Sequence, residues 1–247
     1  MLNDAELLRY SRHLLLEDVG EVGQVALKKA RVLIIGMGGL GSPASLYLAA
    51  AGVGNIVLSD FDTIEVSNLQ RQITYQQDDI GQLKVEVTKQ KLQKLNPGIN
   101  VRSINKAMQV EQLMMEISMA DLVLDCTDNM PTRQQINKAC VNTKTPLIVG
   151  AAIRLEGQLM FFDHSEDNSP CYHCLFPSSE EQALNCSNSG IIGPVVGTVG
   201  TLQALEAIKY FVGLPSGIKN TLKLFDGKTL DWQTFMINKD TQCSVCG

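Results

Sequence analysis

Histidine is scarce in this chain. Only His13, His164 and His173 occur among 247 residues, and no Ser–His–Asp/Glu arrangement suggests itself, so the equipment of hydrolytic catalysis is missing. There is no block of lysine and arginine, and the formal net charge is −5; nucleic acid is not an expected partner. No apolar run reaches the ~18 residues that a membrane span requires. The longest candidate, Pro194 to Val212, is interrupted by small residues and polar breaks, so no membrane association is expected. Internal repeats and low-complexity segments are absent. The opening Met-Leu-Asn-Asp-Ala-Glu is acidic and carries no secretory pattern, and the seven cysteines are odd in number. Disulfides therefore fit poorly, and cytoplasmic residence with reduced thiols is the expectation.

What is present is ample apolar material, 45% of the residues, enough for a sizeable core. Asn3 and Glu6 form a capping-box pattern ahead of Leu7, Leu8, Tyr10, Leu14 and Leu15, which predicts an N-terminal helix. Short apolar runs at 31–35, 55–59, 101–104, 121–125 and 146–149 read as strands. Helical segments at 42–51, 82–95, 110–118 and 132–143 alternate with them. That alternation predicts an α/β protein with a doubly wound, mostly parallel sheet of Rossmann-like type. Beyond residue 150 the pattern changes: strands at 158–162, 222–225 and 232–237 flank one long helix, 195–212. They are expected to extend the same sheet in antiparallel fashion. The whole chain, 1–247, thus reads as one unit: a helical segment (1–30), a nucleotide-binding βα core (31–150), and a sheet extension with a crossover loop and a metal site (151–247).

Directly after the first strand comes Gly36-Met-Gly38-Gly39-Leu-Gly41, a G-x-G-x-x-G turn in strand–turn–helix context. Its glycines permit a tight turn and let backbone N–H groups approach a phosphate at a helix N-terminus. Asp60 ends the second strand, where a carboxylate meets ribose hydroxyls. Asp62, Asn68, Arg71 and Lys84 follow it, and Thr127-Asp128-Asn129 follows the fourth strand. In a doubly wound sheet the first and fourth strands are neighbours, so the glycine turn and Asp128 should face each other across one crevice. A carboxylate there, opposite Arg71 and Lys84, suits a Mg²⁺-bound triphosphate better than NAD. Carboxylate attack on the α-phosphate of ATP needs little acid–base help, because a carboxylate of pKa about 3.5 is already ionised at neutral pH. A nicotinamide-dependent oxidoreductase and a non-catalytic scaffold stapled by zinc are the competing classes.

Cys171-x-x-Cys174 and Cys243-x-x-Cys246 are two identical hooks separated by 68 residues (175 to 242). Two such hooks supply the four thiolates of a structural Zn²⁺ site that would pin the chain's tail to a distant loop. A disulfide pair and a redox C-x-x-C are the rival readings. Cys126, ending a strand, and Cys140, on a helix, are most simply small core hydrophobes.

Gly36-Met-Gly-Gly-Leu-Gly41, Ser67-Asn-Leu-Gln-Arg-Gln72, Leu124-Asp-Cys-Thr-Asp-Asn129 and the paired hooks resemble the bacterial ubiquitin-activating-like adenylyltransferases over essentially the whole chain. Members of that family activate the C-terminal glycine of small ubiquitin-like sulfur carrier proteins. Ile192-Gly-Pro-Val-Val-Gly197, Gly200 to Lys209 and Phe225-Asp-Gly-Lys228 look more like the thiamine-biosynthesis branch. Gly150-Ala-Ala-Ile-Arg-Leu-Glu-Gly157 looks more like the molybdopterin-synthase branch, and the thiamine branch is favoured. The resemblance implies that Gly39 and Asp60 contact the nucleotide, that Asn68, Arg71 and Lys84 bind phosphates, and that Asp128 holds Mg²⁺. It implies that Arg12 reaches into a partner subunit's ATP site, hence a homodimer with composite sites. It further implies that Cys186 can link covalently to the sulfur carrier. Unlike fused relatives the chain stops at its second hook, so the sulfur is expected from a separate sulfurtransferase or cysteine desulfurase.

Overall fold

A computed structural model of the chain describes residues 1–177 and 190–247. Three short helices open it: α1 (Asp4–Arg9), α2 (Ser11–Leu14) and α3 (Gly20–Lys29). The capping box forms as the sequence predicts: Asn3 Oδ1 accepts the Glu6 N–H at 2.9 Å, and Glu6 Oε2 accepts the Asn3 N–H at 2.8 Å. The single N-terminal helix expected from sequence is broken at Tyr10. That residue is buried, and its hydroxyl accepts a hydrogen bond from Asn96 Nδ2 at 2.8 Å. Helix α3 escapes a reading by periodicity because its buried residues are Gly23, Gln24 and Leu27, a face with only one large apolar side chain.

Eight strands form one sheet: β1 (Arg31–Ile35), β2 (Asn55–Ser59), β3 (Asn100–Ile104), β4 (Leu122–Asp125), β5 (Leu147–Ile153), β6 (Glu156–Phe162), β7 (Thr221–Asp226) and β8 (Asp231–Met236). Their order is β3-β2-β1-β4-β5-β6-β7-β8. Pairing is parallel from β3 to β5 and antiparallel from β5 to β8, so the sheet is mixed and the C-terminal strands extend the first five as expected. Strand β5 runs on to Ile153 because β6 returns beside it through a turn at Arg154 and Leu155; Arg154 takes a φ of 54°.

Helices cover both faces. Along β1, Val32 and Ile34 join Leu48, Leu92 and Val199 in one cluster, while Leu33 and Ile35 join Ile117, Ile136 and Phe162 in another. A strand buried on both sides reads as a continuous apolar run, which is why β1 is legible as RVLII. The helices between and after the strands are α4 (Gly41–Ala51), α5 (Lys84–Leu95), α6 (Val110–Ser118), α7 (Met130–Thr143), α8 (Tyr172–Leu175) and α9 (Gly193–Val212). Helices α7 and α9 each begin two residues before the predicted start. Pro131 and Pro194 lie in their first turns, where a missing N–H costs no helical bond. Among the described residues no helix is long and apolar enough to cross a membrane.

Candidate active site

Strands β1 and β4 are parallel neighbours whose chains then move to opposite sides of the sheet, β1 towards β2 and β4 towards β5. At such a switch point the connecting loops part and leave a crevice beyond the carboxyl ends of the strands. A cleft of about 480 Å³ lies there, and the glycine turn and Asp128 both line it, as the strand order implied.

The glycines of the turn serve different needs. Gly36 has a φ of 94°, and a Cβ on it would lie 2.6 Å from the Cys126 carbonyl oxygen. A Cβ on Gly41 would lie 2.0 Å from the Gly36 carbonyl oxygen. These two are required by the turn itself. A Cβ on Gly39 would meet Val196 Cγ1 of α9 at 2.9 Å, whereas one on Gly38 would find nothing nearer than Gln72 Nε2 at 3.7 Å. The protein thus leaves the face of Gly38 open towards the cleft.

Asp60 uses one oxygen to accept the Met37 N–H at 2.7 Å and the other to accept the Asp62 N–H at 2.8 Å. Each carboxylate oxygen keeps a further lone pair for a ligand hydroxyl. Burial pushes the Asp60 carboxyl above its usual range, against the pull of Lys84 and of the two N–H donors. Asn68 is buried at the end of a short 3₁₀ turn, where its Oδ1 accepts the Glu65 N–H at 3.2 Å. Arg71 is steadied by a bond from Nη1 to the Ser67 carbonyl at 3.0 Å. Lys84 begins α5, is 6% exposed, and pairs through Nζ with Asp62 Oδ2 at 2.9 Å. Asp128 is exposed beyond β4, and Asn129 caps α7 by accepting the Thr132 N–H at 3.0 Å. The structure therefore brings Gly36, Gly38, Gly39, Asp60, Asp62, Asn68, Arg71, Lys84, Asp128 and Asn129 to the cleft, while Gly41 lies behind its lining, packed against the Gly36 carbonyl; Asp62 pairs with Lys84 and Asn129 caps a helix end.

Arg12 lies on α2, exposed and outside the lining of its own chain's cleft. Cys186 falls outside the described residues, in the span 178–189. Sequence reasoning missed Asp125 and Arg133. Asp125 is fully buried at the end of β4; its Oδ1 accepts the Thr127 N–H at 2.9 Å and the Thr127 hydroxyl at 2.7 Å, and its Oδ2 has no partner among the described residues. Burial drives its carboxyl upward while the nearby Arg133 opposes the shift. Arg133 is buried too, and its Nη2 donates to the carbonyls of Thr127 and, at 2.9 Å, of Gly150. Together they brace the loop that presents Asp128. In sequence Arg133 reads as one more polar residue of a helix, and no local pattern reveals its burial.

The Sγ atoms of Cys171, Cys174, Cys243 and Cys246 all lie within 4.8 Å of one another. Cys171 and Cys243 are separated by 3.8 Å, Cys174 and Cys246 by 3.4 Å, and Cys171 and Cys174 by 4.0 Å. A disulfide needs about 2.05 Å. Four sulfurs at about 2.3 Å from a central Zn²⁺ stand about 3.8 Å apart, so this donor set fits a closed tetrahedral tetrathiolate. Asn137 of α7 donates to Cys171 Sγ at 3.5 Å, the kind of outer contact that orients a ligand. His173 is no fifth donor: its Nδ1 meets Gln134 Oε1 at 3.1 Å and its Nε2 meets Ser244 Oγ at 3.2 Å, tying one hook to the other. Tyr172, between the hook residues, lines the cleft, so the loop of the first cysteine hook forms part of its wall. Cys126 and Cys140 are buried, as small core residues should be.

A glycine turn after the first strand, a part-buried carboxylate at the end of the second and clustered cations at the switch point of an α/β sheet are the features of a nucleotide-binding α/β protein. The chain belongs to the ThiF family, whose model matches residues 10–245. It is 48% identical over 248 residues to the sulfur carrier protein ThiS adenylyltransferase of Escherichia coli, covering 100% of this chain and 97% of that protein. It is 44% identical over 246 residues to the molybdopterin-synthase adenylyltransferase of the same organism, covering 100% and 98%. Among solved structures, Escherichia coli MccB crystallised with ATP superposes with a TM-score of 0.83 at 27% identity, over 99% of this chain and 75% of that one.

Proposed function

We propose that this protein adenylylates the C-terminal glycine of a small ubiquitin-like sulfur carrier protein, with ATP as co-substrate and pyrophosphate as product. The observation that carries this reading is the cleft: an open glycine turn, Asp60, Arg71, Lys84 and Asp128 converge there, in a chain 48% identical to an enzyme so named. Asp60 would receive the ribose hydroxyls. Gly38, Asn68, Arg71 and Lys84 would hold the phosphates, and Asp128 would hold Mg²⁺, which when bound offsets charge on the triphosphate. One oxygen of the carrier's terminal carboxylate forms a bond to the α-phosphorus, and the bond from that phosphorus to the pyrophosphate oxygen breaks. No proton has to be removed from the nucleophile, so alignment and charge neutralisation are the enzyme's task. That agrees with a cleft whose lining contains no histidine among the described residues.

The four cysteines would hold one structural Zn²⁺ per chain, and reduced thiols agree with a cytoplasmic setting. Arg12 is exposed and outside its own cleft; in a homodimer it would act by entering the partner's site. The whole chain, 1–247, would work as one unit, and Cys186, carrying a sulfane sulfur from a separate donor protein as a persulfide, would attack the carrier's acyl-adenylate carbonyl, forming an acyl disulfide as the bond to AMP breaks. The thiamine-biosynthesis carrier is the favoured substrate, with the small subunit of molybdopterin synthase as the alternative; the two curated relatives stand at 48% and 44% identity.

ATP–pyrophosphate exchange with purified protein, Mg²⁺ and each carrier in turn tests the reading. Exchange with the thiamine carrier alone supports it as stated, and exchange with the molybdopterin-synthase subunit alone reverses the choice of carrier. No exchange with either, from folded protein with its metal bound, sinks it.

A further inference from the structure

Met37 is the second residue of the glycine turn, yet its side chain is fully buried and offers nothing to a ligand. Its peptide groups, by contrast, are held on both sides by side chains from other segments. Its N–H donates to Asp60 Oδ2 at 2.7 Å, and its carbonyl accepts the Tyr75 hydroxyl at 2.7 Å. The Tyr75 oxygen also lies 3.2 Å from Thr88 Oγ1. A phenol has one hydrogen, which Met37 takes, so Thr88 is the donor in that contact. Thr88 sits one turn beyond Lys84 on α5.

The path continues back to its start. Lys84 bonds to Asp62 twice, from Nζ to Oδ2 at 2.9 Å and from its backbone N–H to the Asp62 carbonyl at 3.1 Å. The Asp62 N–H donates to Asp60 Oδ1 at 2.8 Å, and Asp60 returns to Met37. Met37, Tyr75, Thr88 and Lys84 are all buried, so the contacts on that side of the ring have little water to compete with them. Burial also pushes the Tyr75 phenol well above its ordinary value, which keeps it a donor.

We infer that Tyr75 is a positioning residue of this site: its hydroxyl closes a ring, Met37–Asp60–Asp62–Lys84–Thr88–Tyr75, hydrogen-bonded at each link except the turn of α5 that joins Lys84 to Thr88, which sets Lys84 and the glycine turn at one separation and aims the Gly38 N–H. The inference rests on the adenylylation reading above. The aim follows from peptide planarity. In a trans peptide the N–H of Gly38 points opposite to the Met37 carbonyl. By drawing that carbonyl into the interior, Tyr75 turns the Gly38 N–H outward, at a residue that lines the cleft and leaves its face open. A donor set in advance at the position where phosphate charge must be met costs no reorganisation during reaction.

Tyr75→Phe removes the hydroxyl and keeps the ring that packs with Ile64 and Val87. We expect KM for MgATP in the exchange reaction to rise about tenfold, the effect of one lost buried hydrogen bond, measured well below the melting temperature. Thr88→Val should act in the same direction, and Thr88→Ser, which restores a hydroxyl, should recover most of the loss. The double variant Tyr75→Phe/Thr88→Val should fall short of the product of the single effects, since both cut one ring. A merely structural role would lower thermal stability and leave KM for ATP alone. Parent-like KM and kcat in Tyr75→Phe, whatever its melting temperature, overturn the inference while the adenylylation reading stands. If Tyr75→Phe does not fold, the Thr88 pair decides in the same way. Absence of exchange and of ATP binding in the parent protein overturns both.

Discussion

Cys171 Sγ and Cys243 Sγ lie 3.8 Å apart although 72 positions separate them in the chain. Nothing between them is locally inclined to bring them together, so the contact belongs to the tertiary fold. We expect one zinc per chain by elemental analysis of protein kept reduced. Removing it with a chelator should lower the melting temperature by about 10 °C or more, because binding to a folded-state site adds directly to folding free energy. Cys246→Ser should do the same and lose the metal. Metal-free protein with undiminished stability would remove zinc from the account.

Gly38 and Gly41 should respond oppositely to one methyl group. Gly41→Ala places a Cβ 2.0 Å from a backbone oxygen and should abolish correct folding of the turn. Gly38→Ala meets nothing nearer than 3.7 Å and should melt within about 2 °C of the parent. It should nonetheless weaken MgATP binding at least tenfold by calorimetry, because the methyl occupies space left for the ligand. Parent-like affinity in Gly38→Ala would mean that the phosphates lie elsewhere.

Arg12 is exposed and outside its own cleft, so Arg12→Ala should leave the melting temperature unchanged. Under the composite-site reading it should also reduce exchange about a hundredfold. Mixed with Lys84→Ala, it should regain about a quarter of parent activity. Half of randomly paired dimers are mixed, and each carries one intact site. Failure to recover in mixed dimers verified by tag purification would argue against a shared site.

His164 carries the pH prediction. It is buried, its Nε2 has no partner among the described residues, and it stacks on Phe162 with ring centroids 6.1 Å apart. Burial lowers its pKa from 6.5 to about 4, with Asp163 pulling the other way. The unfolded chain therefore takes up a proton between about pH 6.5 and pH 4 while the folded one resists. The stability in question is fully present above pH 6.5 and is lost as pH falls through that window, by about 3 kcal/mol in all. Urea melts at pH 7.5, 6 and 5 should show the decline, and His164→Phe should flatten it. An equal slope in both proteins would place the titration elsewhere.

Much of this molecule was legible in one dimension. Strand β1 is a run of consecutive apolar residues because both its faces are covered, and the turn after it is spelled in glycines because Gly36 and Gly41 have no room for a side chain. Asp60, Arg71, Lys84 and Asp128 could be placed in one crevice because the alternation of strands and helices dictates which strand ends are neighbours. Helix α3 was not legible, since a glycine and a glutamine occupy two of its three buried positions. Nor were Asp125, Arg133 and Tyr75, whose roles depend on burial and on partners up to 38 residues away.

By itself the sequence determined the order of the strands and of the helices between them, the positions of the glycine turn and of the two cysteine hooks, and membership in a family. These depend on spacing along the chain, where periodicity and steric need act between near neighbours. The tertiary structure alone decided that the two hooks close on one another, that Arg133 turns inward to brace the Asp128 loop, and that Tyr75 joins the glycine turn to α5. Those contacts arise only once the sheet has brought distant segments together and excluded water between them, and only then does a phenol, a threonine or an arginine differ from any other polar residue.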